Sequence, residues 1–170
     1  FIHFLDAVGR GQLFDIGRPL LGMLSKAVIV PVRHAIKDRQ GKLGYIISAN
    51  LPHEHLQAYW IDSPLTARAA AIGLIRDSGF LLSRYPVPAN LSLDQIYGVP
   101  RTGALIHHLQ QQGFPERGYV EGPSSLDGLD FLTAFRRLPT HPLTLFIAMP
   151  LSEIRAAWWR RVSGTGFALL

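Results

Sequence analysis

The chain has 170 residues, of which 48% are hydrophobic and 17% are charged, and its formal net charge is +5. A chain of this size and composition can bury a core of its own, which excludes a disordered tail. Cysteine is absent, and this excludes a disulfide, a thiolate nucleophile and a cysteine-ligated metal. Lys and Arg are scattered among apolar residues, so the basic excess does not indicate nucleic-acid binding.

The first third of the chain predicts strands followed by a helix. Asp38 to Gly41 has the composition of a hairpin turn, because Gly41 can adopt positive φ. Pro31 within the long strand predicts an edge position or a bulge. In chain order, we expect a strand at Phe14–Ile16, a strand at 26–36, a strand at 43–49, and a helix that Pro52 opens and Trp60 ends.

The remainder predicts five strands, with helices that cross after the second strand. Ser92 and Gln95 form a capping box, which marks a helix start. Short turns between the strands force antiparallel neighbours, so the fold class is α+β, with helices on one side of an antiparallel sheet. The expected elements are strands at 69–76, 80–85, 118–121, 129–138 and 143–149, turns at 77–79, 126–128 and 139–142, a helix capped by Thr102 that runs through Gln112, and a helix at 152–162.

Two related segments lie 99 positions apart. Residues 49–60 and 148–159 share Ala, Glu, Ala and Trp at corresponding positions, and an apolar run precedes each segment. The shared order of strand, strand and helix indicates two units in tandem. Residues 14–50 match only the last three strands of the plan in 69–149, so the first unit is expected to be incomplete.

Short motifs follow one another in a recognisable order. They are residues 14–19, residues 28–44 with Arg33, residues 76–79 followed by 83–86, and residues 125–128 followed by Arg136, Pro142 and Leu143. In this order they resemble the extracytoplasmic Cache (PAS-like) sensor module, of the double type found in bacterial transmembrane receptors. The resemblance covers nearly the whole chain.

The resemblance implies a PAS-like five-stranded antiparallel sheet with helices, preceded by an incomplete second PAS-like lobe. It divides the chain into three parts. Residues 1–62 are a partial membrane-distal lobe with its connecting helix, residues 63–150 are a complete membrane-proximal lobe, and residues 151–170 are a helix that leads towards the membrane.

The resemblance also implies a function. A periplasmic module of an inner-membrane protein binds a small ligand and passes the signal, through flanking transmembrane helices, to a cytoplasmic signalling domain. That output domain is expected to be a diguanylate cyclase or phosphodiesterase, with a histidine kinase or chemoreceptor domain as the alternative. Receptors of this type often form a homodimer through a helix that precedes the first lobe.

The chain lacks an initiator Met and turns apolar at 164–170, so we expect it to be a piece of a longer protein. The apolar end is interpreted as the first turns of a membrane helix, and a frayed tail is the alternative. Arg160 and Arg161 precede this end on the outer side, which departs from the positive-inside tendency.

A ligand pocket is expected between the sheet and the helices of 92–117. A small anionic or zwitterionic ligand needs a guanidinium together with hydroxyl or amide donors. The candidate contacts are Arg84, Arg101, Tyr119 and Arg136. Each also has an ordinary interpretation: Arg84 can pair with Asp77 or Asp127, Arg101 and Arg136 can be solvated, and Tyr119 can simply pack.

Two other functions are open alternatives. A passive spacer lobe would bind nothing and would transmit a displacement through the helix at 152–162. A small hydrolase would need a catalytic constellation, but the seven histidines show no metal-ligand spacing. Ser124 and Ser125 lie beside Asp127 with the composition of a turn. No catalytic residue, metal or cofactor is therefore expected.

Overall fold

The structure is a computed structural model that describes residues 2–22, 27–64 and 70–166. These residues form helices and two antiparallel sheets. The predicted strand starts at residues 26 and 69, and the apolar residues 167–170, lie outside the described residues.

The first sheet is built around one long strand. Its elements, with the helix that follows, are α1 Ile2–Gly9, β1 Phe14–Ile16, β2 Leu20–Leu21, β3 Val28–Lys37, β4 Leu43–Pro52 and α2 His53–Ile61. Strand β4 pairs along one edge of β3, while β1 and β2 pair one after the other along the opposite edge. The sheet thus has the shape of a three-stranded meander, which matches the last three strands of the second sheet.

Pro31 lies in the centre of this sheet, so the predicted edge position or bulge is wrong. The break between β1 and β2 is opposite Pro31, where the Gly17 N–H donates to the Pro31 carbonyl at 2.7 Å. Proline has no N–H to donate. The sheet accommodates it by interrupting the neighbouring strand at the point where the missing donor would face it.

The second sheet confirms the predicted fold class. Its elements are β5 Ala71–Arg76, β6 Leu81–Tyr85, α3 Leu93–Tyr97, α4 Ala104–Gln111, β7 Arg117–Pro123, β8 Asp130–Arg137 and β9 Leu143–Pro150, and α5 Leu151–Gly166 follows them. The strand order is β6-β5-β9-β8-β7, and all neighbours are antiparallel. The three predicted hairpins join β5 to β6, β7 to β8 and β8 to β9.

Helices α3 and α4 cover one face of the second sheet, which we call the inner face and which carries Phe131, Phe135 and Phe146. These rings pack with residues of both helices in a single buried cluster. Phe146 lies over Gly73 and Phe135 lies over Gly118, so a Cβ at either glycine would come within 3.0 Å of a ring carbon. Glycine in the neighbouring strands therefore makes room for the aromatic core.

A second apolar cluster joins the two sheets, and we call it the intersheet cluster. Ile16, Val30 and Leu51 enter it from the first sheet, and it is completed by Leu56, Leu74, Leu82, Leu138 and Leu143. Arg76 reinforces the junction, because its Nη1 donates to the Ile16 carbonyl and its Nη2 lies 3.4 Å from the Asp15 carboxylate. The two sheets thus share buried apolar surface and an ion pair.

Several helix boundaries differ from the predictions. Pro52 is both the last residue of β4 and the N-cap of α2, so the helix begins at His53, one residue later than predicted. Helix α4 begins after Gly103 and not after Thr102, and Gly103 provides no side-chain cap. Helix α1 and strand β2 were not predicted. The buried residues Phe4, Ala7 and Val8 have the spacing of an amphipathic helix, which is a signal that could have revealed α1.

The two repeated segments confirm the shared order of strand and helix but differ in environment. Trp60 of α2 is half-buried and its Nε1 donates to Ser83 Oγ at 2.7 Å. Trp159 of α5 is 63% exposed and packs edge-on against Trp158, with 5.0 Å between ring centroids. Among the described residues, no helix is both long enough and apolar enough to cross a membrane.

We predict that Gly73→Ala destabilises the protein by about 1–3 kcal/mol, because overpacking forces backbone and ring shifts. The new Cβ would lie 2.4 Å from the Ser83 carbonyl oxygen and 2.9 Å from Phe146. Urea unfolding followed by circular dichroism measures the change in the free energy of unfolding.

The matched control is Gly44→Ala in β4, where the nearest atom to a new Cβ is 3.5 Å away. This variant should change the free energy of unfolding by less than about 0.5 kcal/mol. Equal stability of the Gly73 variant and the wild-type protein would contradict the packing described for the inner face.

Candidate functional site

A cavity of about 80 Å³ lies between the inner face of the second sheet and the start of α4. The strands contribute its floor, and the segment before α4 and the β7–β8 turn contribute its walls. Its lining is Ala71, Ile75, Leu81, Arg84, Arg101, Gly103, Ala104, Leu105, Ile106, Gly122, Pro123, Ser124, Ser125, Leu126, Phe131, Thr133, Phe146 and Ala148. The volume is well below the roughly 300 Å³ of the smallest pockets that hold drug-sized ligands, so it suits a ligand of few atoms.

The sheet register explains why the floor has room. Ala71, Ala148 and Thr133 are cross-strand neighbours in one row of β5, β9 and β8. The next row contains Gly73 and Phe146, with Arg84 opposite Gly73 on β6. The small side chains of Ala71 and Ala148 therefore leave a cavity beside the larger side chains of Phe146 and Arg84 in the next row.

Arg84 is the central polar group of the cavity. Its side chain lies on the inner face, and the residue is only 7% exposed. Its Nη1 donates to the Pro86 carbonyl at 2.5 Å. Burial lowers the pKa of Arg84, while the charge of Asp127 and the Tyr97 hydroxyl oppose that shift.

The buried guanidinium has no direct counter-ion among the described residues. The ion pairs found there join Asp15 to Arg33 and Arg76, and Asp77 to Arg137. The pairing of Arg84 with Asp77, one of the interpretations open from the sequence, is therefore wrong, because Arg137 binds both oxygens of Asp77 at 2.5 and 2.7 Å. A buried cation without a counter-ion is costly, and an anionic ligand would compensate it.

Arg101 lines the same cavity in a different way. Its Nη2 donates to the carbonyls of Gln95 and Val99 at 2.9 and 3.0 Å, so it completes the hydrogen bonding at the end of α3. Its Nε is buried without a hydrogen-bond partner, and burial lowers the pKa of the guanidinium. Arg101 thus combines a structural role with a donor that faces no protein acceptor.

The wall opposite the sheet comes from two close backbone segments. A Cβ at Gly103 would lie 2.9 Å from both the Pro123 carbonyl oxygen and the Ser125 nitrogen. Gly103 precedes α4 without a side-chain cap, and the first residues of α4 line the cavity. Ser124 Oγ accepts the Leu126 N–H at 3.2 Å, which holds the β7–β8 turn in position.

The structure brings together two of the four candidate ligand contacts. Arg84 and Arg101 line one cavity, as described above. Tyr119 is 74% exposed on β7, and Arg136 is exposed on β8. Neither of these two lines the cavity, and a ligand contact by either one stays a prediction.

Sequence reasoning missed three hydroxyl side chains of the site. Ser124 and Ser125 were interpreted as turn residues, and Thr133 was not singled out. The alternation of β8 already placed Phe131 and Phe135 on the buried face, so Thr133 belongs to the same face. A buried polar residue between two phenylalanines was the available signal for Thr133.

Helix α2 reaches the strand that carries Arg84. Gln57 Nε2 donates to the Arg84 carbonyl at 3.3 Å, and Trp60 donates to Ser83 as described above. His53 is 4% exposed, and its ring lies 4.3 Å from the Tyr97 ring, centroid to centroid. The main chain of the Arg84 site is therefore in direct contact with a helix that follows the first sheet.

His53 of α2 and Tyr97 of α3 are buried against each other. Burial lowers the pKa of His53, and the nearby Glu54 opposes the shift. Burial raises the pKa of the Tyr97 hydroxyl, against the opposing effects of Arg84 and the Gln57 side chain. Both groups are neutral near pH 7, which fits a contact that is largely shielded from water.

No cluster of three or more metal-ligating side chains occurs within residues 2–22, 27–64 and 70–166. Ser124 and Ser125 lie at the cavity beside Asp127, whose Oδ1 accepts the Leu129 N–H at 3.2 Å. The cavity lining contains two guanidinium groups, which only donate, and three hydroxyl groups, which can donate or accept.

Comparison with known proteins identifies the fold. No protein-family model and no curated protein matches the sequence. The extracellular domain of the histidine kinase rpHK1S-Z16 matches with a TM-score of 0.62 and 20% identity, over 85% of this chain and 56% of the other. The extracellular domain of the histidine kinase mmHK1S-Z3 matches with a TM-score of 0.61 and 13% identity, over 91% and 55%.

The periplasmic sensory domain of the Campylobacter jejuni chemoreceptor Tlp1 matches with a TM-score of 0.58 and 22% identity, over 82% of this chain and 50% of the other. This chain has the fold of an extracytoplasmic sensor domain. The fold expected from the resemblance is confirmed, and the chain spans about half the length of these sensor domains.

Because His53 is buried, we expect the stability of the folded protein to depend on pH. The pKa of His53 in the folded protein lies below the ordinary value of 6.5, so the unfolded chain binds the proton more tightly. The free energy of unfolding should be constant above about pH 6.5 and should fall as the pH drops below it. Thermal melting from pH 8 to pH 5 measures this dependence.

Replacing His53 by Gln should reduce the loss of stability below pH 6.5. The control is His55→Gln in the same helix, because His55 is exposed and its replacement should leave the pH dependence unchanged. If the His53 variant keeps the full wild-type dependence, the buried imidazole is not its source.

Proposed function

We propose that this chain is the sensor module of a bacterial transmembrane receptor and lies on the periplasmic side of the inner membrane. In this proposal, the cavity of the second sheet binds a small anionic or zwitterionic ligand. Residues 1–62 form a partial distal lobe, residues 63–150 the complete proximal lobe, and residues 151–170 lead towards the membrane. The shared fold with extracytoplasmic sensor domains supports this location and role.

One observation carries the ligand-binding proposal. Arg84 is buried in a cavity without an ion-pair partner among the described residues. A charged group in such an environment is stable only when its hydrogen-bonding capacity is used. A ligand anion supplies both the charge and the acceptors.

The relay would start at the same residue. A ligand that shifts the Arg84 side chain within the cavity would also move the Arg84 main chain, whose carbonyl accepts the Gln57 N–H. Two strands away from β6 in the same sheet, β9 leads directly into α5. We propose that α5 transmits the change to a cytoplasmic diguanylate cyclase or phosphodiesterase, or to a histidine kinase or chemoreceptor domain, and that the sensor segment is not itself an enzyme.

A passive spacer is the second candidate. The intersheet cluster and the bonds from α2 to Ser83 and Arg84 tie the first sheet to the second. A displacement of the first sheet could therefore reach α5 without a ligand in the cavity. The two candidates differ in whether a small molecule stabilises the chain.

We predict that Arg84→Gln abolishes the thermal stabilisation of the chain by its ligand. A panel of small monocarboxylates, dicarboxylates and amino acids is screened by differential scanning fluorimetry. A compound present at about 100 times its Kd stabilises the folded state by roughly 2.7 kcal/mol. This gain should appear in the wild-type protein and be lost in the variant.

Arg136→Gln is the matched control, since it removes an exposed arginine outside the cavity and should retain the shift. If Arg136→Gln loses the ligand-induced increase in melting temperature while Arg84→Gln keeps it in full, the ligand binds outside the cavity. The absence of any shift across the panel in the wild-type protein would favour the spacer.

A further inference from the structure

The charges in the cavity lining have one sign. Two arginines, Arg84 and Arg101, and three hydroxyl side chains, Ser124, Ser125 and Thr133, provide its polar groups. Among the described residues, no Asp or Glu lines the cavity. The site therefore offers hydrogen-bond donors to an anion but no carboxylate to a cation.

The nearest acidic influence lies outside the cavity. Asp127 acts on the charge of Arg84, but it does not line the cavity and it is exposed. Its Oδ1 accepts the Leu129 N–H within the β7–β8 turn. The ammonium group of a bound amino acid would thus face two guanidinium groups without a lining carboxylate to neutralise it.

The two arginines are not equivalent as anion binders. Nη2 of Arg101 already donates to the carbonyls of Gln95 and Val99. Arg84 makes one hydrogen bond with its Nη1, to Pro86, and a guanidinium carries five donors. One carboxylate can be held by the fork of Arg84, whereas a second carboxylate would lack an equivalent partner.

The remaining lining is apolar and close. Ala71, Ile106, Phe146 and Ala148 lie against a volume of about 80 Å³. This space suits a short hydrocarbon chain, whose burial is favourable.

We propose that the cavity binds a short monocarboxylate and discriminates against the amino acid of the same carbon skeleton. The inference rests on the proposed function and narrows its ligand from anionic or zwitterionic to purely anionic. Arg84 holds the carboxylate, and the alanine and phenylalanine side chains enclose the apolar chain. The α-ammonium group is rejected because desolvating an unpaired charge is costly.

Isothermal titration calorimetry with the 170-residue chain tests this discrimination. The probes are propionate, L-alanine and propionamide, which share one carbon skeleton. Propionate should bind, and L-alanine should bind about 100-fold more weakly or not at all, as is typical when a charged group is left unpaired. Propionamide should also bind more weakly than propionate, because it lacks the anionic charge.

Two variants complete the design. Arg84→Gln should abolish propionate binding, and Asp127→Asn should change the propionate Kd by less than about threefold, since Asp127 lies outside the lining. Melting curves establish that each variant is folded. Retention of propionate affinity by Arg84→Gln would show that the cavity does not hold the carboxylate and would overturn the inference.

The failure of this inference is distinguishable from failure of the proposed function. L-alanine binding as tightly as propionate, and losing its affinity in Asp127→Asn, would overturn the monocarboxylate assignment while leaving a sensor that depends on Arg84. If propionate does not bind while another compound of the wider panel binds through Arg84, the monocarboxylate assignment is also overturned and the sensor proposal stands. No binding of any compound in the wider panel would remove the proposed ligand site itself.

Discussion

An edge strand needs partners for the backbone groups that face away from its sheet, and in this protein helix α2 supplies one for β6. Gln57 donates to the Arg84 carbonyl, and Trp60 donates to the buried Ser83 hydroxyl. These contacts hold β6 between α2 and β5. Because successive side chains of a strand point to opposite faces of the sheet, Ser83 faces α2 while Arg84 lies on the inner face, where the cavity is.

This arrangement links three parts of the molecule through one strand. The first sheet leads into α2, α2 contacts the main chain of β6, and β6 carries the guanidinium into the cavity. The intersheet cluster and the contacts of Arg76 with Asp15 and Ile16 also join the first sheet to the second. Coupling between two sites requires such a link, because binding at one site must bias the position of another element.

The fold was largely predictable because its signals are local. Turn residues such as Gly41 and Gly79 adopt positive φ, and the capping box of Ser92 and Gln95 is formed as expected. The missed elements are short, and β2 has only two residues. Half of the candidate ligand contacts line the cavity, while Ser124, Ser125 and Thr133 escaped notice because a hydroxyl in a turn or strand has no distinctive pattern.

The sequence by itself determined the alternation of each strand, the positions of the hairpins and the order of the elements, since these follow from residues close together in the chain. Only the tertiary structure decided which tryptophan of the repeat is half-buried, because Trp60 donates to Ser83 whereas Trp159 is exposed on α5. It also decided which arginine enters the cavity. Arg84 lies opposite Gly73, whereas Arg136 lies opposite Leu145 and Arg117 on the exposed side. These outcomes depend on pairing between distant segments, and that pairing is fixed by packing across the whole sheet.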